Sequence, residues 1–165
     1  MKLTSPFHSY HGLADALIST GSSVIYHRQV LRAMLGKGIE LDSWYRFFLV
    51  PGMQHCTGTP TNVKAPWYFA GANQAATLST GVSGVPGFRD PKHDALLALL
   101  AWTENGTAPN EIVATIWRND TLQDQVLRQR PVCPYPQHAQ YLGAGDPDQA
   151  QNWKCTTKYS LSAQY

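Results

Sequence analysis

The segment Trp44 to Val50 (WYRFFLV) restricts the fold more than any other stretch of this chain. It is aromatic and β-branched, almost continuously apolar, and bounded by Asp42-Ser43 before it and Pro51-Gly52 after it. Such a run fits a strand covered on both faces, as in a parallel sheet, because a strand with one wet face would alternate. A parallel pair needs a crossover, and the preceding residues supply one. Ser22-Ser23 as cap, apolar Val24, Tyr26, Val30, Leu31, Met34 and Leu35 at roughly helical spacing, and Gly36 as stop predict a helix over about residues 22 to 35. Before that helix, Ser9-Tyr10-His11 reads as a strand end that turns at Gly12 into a loop carrying Asp15. The expected class is α/β, in the order strand, Asp loop, helix, strand, His loop.

Downstream the signals are less regular. Residues 57 to 92 are rich in Gly, Pro, Thr and Asn with scattered aromatics, and read as an ordered but irregular excursion. Asp94 to Glu104, ended by Asn105-Gly106, reads as a short helix apolar almost all round, a buried crossover. Ile112 to Trp117 reads as a strand, and the tail from Arg130 as Pro-rich and irregular. No internal repeat or low-complexity tract is visible.

Composition removes several function classes. Charged residues are 15% of the 165, and Lys+Arg 13 against Asp+Glu 11 leaves +2, so no strongly basic nucleic-acid surface is expected. The longest apolar run, Ala95 to Trp102, falls well short of the roughly 20 residues a bilayer span needs. Met1-Lys2-Leu3 runs into Thr4, Ser5, Pro6 and His8 without the apolar stretch of a secretory signal, so the first residues look like an interior segment and no signal peptide is expected. Cysteines number 3. Cys133 and Cys155 could close a loop, which leaves Cys56 alone. Sequons at Asn105 and Asn119 (Asn-Gly-Thr and Asn-Asp-Thr) are candidate glycosylation sites and lean towards an extracellular setting.

The chemistry-bearing residues sit on the loops after the two strands. The loop Pro51 to Gly58 (PGMQHCTG) combines turn residues with His55 and Cys56, and Asp15 lies 40 positions earlier, one helical crossover away. Neighbouring parallel strands place their C-terminal loops side by side, so a carboxylate can accept from one imidazole nitrogen while the other faces a nucleophile. An α/β-hydrolase supplies its acid and His in this chain order, after its Ser. Against that stands the plainer reading, in which a loop Asp makes a turn and a loop His is solvated. His8, His11 and His27 with His55 have no metal-ligand spacing, and Gly81-Val82-Ser83-Gly84-Val85 lacks the second glycine of a nucleophile elbow. No metal and no cofactor are expected.

His11-Gly12-Leu13-Ala14-Asp15-Ala16-Leu17-Ile18 and Tyr45 to Cys56 (YRFFLVPGMQHC) resemble the tannase and fungal feruloyl esterase family. The resemblance continues through Asp94 to Trp102, the Ala108-Pro109 turn and Arg130 to Gln137 (RPVCPYPQ), and so spans nearly the whole chain. It implies that Asp15 is the triad acid, His55 the general base, and Cys56 one half of a disulfide to a Cys that directly precedes the nucleophilic Ser. That Cys and Ser are absent from these residues. The resemblance further implies that residues 1–165 are the C-terminal part of the catalytic domain, without upstream strands, nucleophile or lid, and inactive on ester alone. The expected partners are a phenolic ester substrate, feruloyl or galloyl, and an upstream chain carrying the Cys-Ser pair, with no nucleic acid and no membrane. A disulfide Cys133–Cys155 and an extracellular location also follow from it. The rival expectation is a non-catalytic truncated remnant that acts at most as an interaction domain. Trp67, Tyr68 and Phe69 could stack on a phenolic acyl group but read first as local core, and Arg46 is given no role.

Overall fold

The computed structural model describes residues 5–78, 81 and 83–157. The start as far as Thr4, Val82 of the elbow-like motif, and the tail after residue 157 lie outside the described residues. The element order is mixed α and β: β1 (Phe7–Gly12), α1 (Thr20–Leu35), β2 (Tyr45–Val50), α2 (Ala95–Asn105), β3 (Ile112–Trp117), β4 (Val126–Val132), β5 (His138–Tyr141) and β6 (Trp153–Thr156). The strands form three pairs. β1 and β2 run parallel in the register Phe7↔Tyr45 to Gly12↔Val50, β3 and β4 are antiparallel, and so are β5 and β6.

The apolar run of β2 is explained by what covers it. Phe48 and Val50 point into one core with Met53, Trp67, Tyr68, Phe69, Ile112, Ala114, Ile116 and Trp117. Tyr45 and Phe47 point the other way, where Val24, Val30, Leu31 and Met34 of α1 pack against them. Both faces are dry, so alternation would be costly. On its outer edge β2 meets the chain at Pro134-Tyr135, where the Tyr135 N–H donates to the Phe47 carbonyl at 2.6 Å. The opposite side of β1 has no partner strand among the described residues.

Helix α1 begins at Thr20, two residues before the expected start, because Ser23 spends its hydroxyl on His11 and the Ser22 hydroxyl donates back to the Ser19 carbonyl. Its buried face also differs from the expected one. Tyr26 and Leu35 are turned outward, and His27 is 5% exposed, packed between the rings of Tyr45, Phe47 and Tyr135. The inward stripe is therefore Val24, His27, Leu31 and Met34, at the spacing of one helix face.

Helix α2 is capped as its sequence demands. The Asp94 carboxylate accepts from the Leu96 and Leu97 N–H groups at 2.8 and 3.1 Å, and Gly106 closes the helix in the left-handed region at φ 70°. The helix is not buried all round, however. Ala95, Ala98 and Trp102 form one buried stripe, while Leu96 and Leu100 are exposed. The irregular segment before it contains the stretch Trp67 to Phe69, which is core: Tyr68 exchanges backbone hydrogen bonds with Thr115 of β3, at 3.1 and 2.8 Å, and all three aromatics are at most 4% exposed.

The tail is more ordered than its proline content implies. β4 runs through Arg130 to Val132, and β5 and β6 pair from His138↔Thr156 to Tyr141↔Trp153. A Cys133–Cys155 disulfide with Cα atoms 5.5 Å apart joins this pair to the end of β4. Two four-residue strands are too short to read from hydrophobic pattern, and the covalent link and the Tyr141–Trp153 ring contact at 5.3 Å hold them instead. No described helix is long and apolar enough to cross a membrane.

Candidate active site

Asp15 lies just past β1 and His55 just past β2, and the parallel register brings the two loops into backbone contact. The Leu13 N–H donates to the Val50 carbonyl at 3.0 Å and the Ala14 N–H to the Met53 carbonyl at 2.9 Å. Gly12 makes that approach possible, since a Cβ there would fall on the carbonyl oxygens of Met53 and Gln54. Within the second loop the Gln54 N–H donates to the Gly58 carbonyl at 3.1 Å and folds residues 54–58 into a turn.

These contacts place the His55 Nδ1 2.8 Å from Asp15 Oδ2. The carboxylate side chain is 1% exposed and the imidazole 43% exposed. Asp15 is fully engaged. Its Oδ1 accepts from the Leu17 and Ile18 N–H groups at 2.8 and 2.9 Å, and its Oδ2 lies 3.1 Å from His11 Nε2 as well as against His55. Burial alone would raise the Asp15 carboxyl, but the Ile18 N–H, the His55 ring and the Leu17 N–H together outweigh it and hold the carboxyl well below the usual carboxylate range. An ionised acceptor fixes the His55 tautomer with its proton on Nδ1, so Nε2 carries the free lone pair. That nitrogen has no hydrogen-bond partner among the described residues.

His11 is a member of this cluster that the sequence pattern did not single out. Its Nε2 faces both the Ile18 carbonyl and Asp15, so that nitrogen is the donor, and Nδ1 accepts from the Ser23 hydroxyl at 2.7 Å. The signal was present as a His four residues before the acid on one turn. Nothing local distinguishes that arrangement from a solvated His.

Cys56 is a free thiol, partly buried, on a residue held at φ 62°, where a non-glycine side chain is uncommon. Burial and the neighbouring Asp15 charge push its thiol pKa up, so it is not an activated nucleophile. Cys133 and Cys155 are joined to each other in the tail. Asn105 and Asn119 are both exposed; the Asn119 side chain also accepts from the Thr121 and Leu122 N–H groups. A second His–carboxylate contact, His93 to Asp90 at 2.8 Å, is a local turn with the His93 ring stacked on Phe88. No cluster of described His, Cys, Asp and Glu is placed to hold a metal ion. A cavity of about 460 Å³ opens between Leu13, Leu49, Pro51, Val63, Tyr135 and Trp153. It borders both loops through Leu13 and Pro51, but neither Asp15 nor His55 lines it.

The family pattern for tannase and feruloyl esterase matches residues 7–156. The chain belongs to the tannase and feruloyl esterase family. The "Probable feruloyl esterase B-1" of Aspergillus oryzae is 32% identical over 146 residues, covering 88% of this chain and 24% of that protein. An uncharacterized esterase of Xanthomonas campestris pv. campestris is 38% identical over 157 residues, covering 88% of this chain and 25% of that one. Among solved structures, the crystal structure of feruloyl esterase B from Aspergillus oryzae superposes with a TM-score of 0.70 at 29% identity, over 92% of this chain and 26% of the other. This member of the family therefore spans about a quarter of the length of the relatives it matches. The Cys133–Cys155 disulfide fits an oxidising compartment.

Proposed function

We propose that this chain is the acid–base part of an extracellular serine esterase acting on phenolic esters, feruloyl or galloyl, and that the nucleophilic Ser comes from outside the 165 residues. The observation that carries the reading is the His55–Asp15 contact at 2.8 Å, with His55 Nε2 left without a partner among the described residues. In this reading His55 Nε2 takes the Ser hydroxyl proton as the oxygen attacks the ester carbonyl, then returns a proton to the departing alcohol. Asp15 stays ionised and stabilises the imidazolium. Cys56, adjacent to the base and without an internal partner, would bond to the Cys preceding that Ser and tie nucleophile to base. The family resemblance supplies this pairing. β1 has no second partner strand among the described residues, and Phe7, Leu17, Ile18 and Ile25 are each about half exposed or more; both support further strands and helices of a longer α/β-hydrolase sheet packing on this chain.

The test supplies a chain containing the upstream Cys-Ser pair of a relative and measures methyl ferulate hydrolysis. Activity is expected only when both are present, with His55→Ala abolishing it. A His55→Ala complex as active as the parent removes the catalytic assignment. A lone chain whose Cys56 stays a free thiol in the native secreted protein supports instead the non-catalytic remnant.

A further inference from the structure

The His55 loop rests on a buried amide. Gln74 is 0% exposed, and each polar atom of its side chain is used. Oε1 accepts from the Phe69 and Gly71 N–H groups at 2.9 and 3.0 Å. Nε2 donates to the Trp67 carbonyl at 3.0 Å, and its other proton points between the Cys56 carbonyl at 3.4 Å and the Met53 sulfur at 3.6 Å. Met53 and Cys56 flank His55, so one amide reaches the loop on either side of the imidazole. The Tyr10 hydroxyl of β1 lies 3.4 Å from the same Cys56 carbonyl and also meets that of Ala72.

Cys56 needs such support, because a side chain at φ 62° is strained. The conformation persists only if its surroundings over-determine it, and its carbonyl is where Gln74 and Tyr10 converge. The geometry points to Gln74 as a positioning residue for the general base: its carboxamide holds the Cys56 carbonyl and the left-handed backbone beside His55, which keeps the imidazole aimed at Asp15. This rests on the reading of His55 as the base, and it adds how a group with no contact to the imidazole sets its direction.

The experiment follows the hydrogen-bonded Nδ1 proton of His55 by NMR on the full ¹⁵N-labelled chain, together with backbone amides of β3 and β4 as internal controls. Gln74→Met keeps length and volume but cannot donate, and is expected to speed exchange of the His55 proton by about tenfold or more while the control amides are unchanged. Gln74→Glu keeps both acceptor contacts and regains one donor when protonated, so its His55 signal is expected to recover at acidic pH. A folded Gln74→Met chain whose His55 exchange stays within about twofold of the parent overturns the proposal. Should Gln74→Met fail to fold, Gln74→Asn, whose amide is one methylene shorter and withdraws from the Cys56 carbonyl, decides it. A faster-exchanging His55 proton supports the proposal, and an unchanged one overturns it. Asp15→Asn separates the two readings: if it leaves the His55 resonance unaltered, the His–Asp assignment has failed, independently of Gln74.

Discussion

At the scale of single residues the site depends on where protons sit. Asp15→Asn replaces an ionised acceptor with an amide that can hold His55 in the wrong tautomer, and in a completed enzyme it is expected to lower kcat by about 10⁴ with KM little changed. Steady-state kinetics on methyl ferulate checks this. Because the folded Asp15 pKa lies below the unfolded one, its stabilising contribution is present above the ordinary carboxylate range and is lost only as pH falls through the depressed folded value. His27 sets a different limit. Burial, opposed by Asp42 and reinforced by Arg28, lowers its pKa, and neither ring nitrogen has a hydrogen-bond partner among the described residues. A depressed folded value means the unfolded chain binds the proton first, so the contribution of His27 is complete above about 6.5 and is lost as pH falls through the folded value. His27→Phe is expected to flatten the decline in thermal midpoint from pH 7 to pH 5, measured by circular dichroism. The acid and the His were legible as loop residues one crossover apart. His11 and Gln74 were not, because their roles arise from contacts to Asp15 and to the Cys56 carbonyl that no spacing encodes.

At the scale of elements, the β1–α1–β2 unit could be read from the sequence because each part carries a local signal: a continuous apolar strand, a helical period, and turn residues at the ends. The face of α1 was less legible. Its buried side includes a His and its exposed side a Tyr and two Leu or Ile residues, so hydrophobicity alone rotates the helix wrongly. Helix α2 shows the opposite case, where a run of apolar residues overstates burial. Its ends follow simple chemistry, and Gly106→Ala, which forces a Cβ into φ 70°, is expected to cost about 1 kcal/mol by chemical denaturation. The β5–β6 pair was hidden by short strands and prolines.

At the scale of the whole molecule, two features decide how the chain behaves alone. The Cys133–Cys155 bond closes a separation of 22 residues, and replacing both with Ser is expected to cost about 3 kcal/mol, a fall in Tm of roughly 6–12 °C. Differential scanning calorimetry reads this directly. With no second partner strand for β1 among the described residues and Phe7 of that strand half exposed, concentration-dependent self-association is expected, visible by light scattering and reduced by Phe7→Lys. The contact at Gly12 has a different reach. With no side chain between them, the acid's loop and the base's loop are geared together, and a push on one displaces both. The imidazole and its carboxylate then travel as one body, with the hydrogen bond between them kept at constant length.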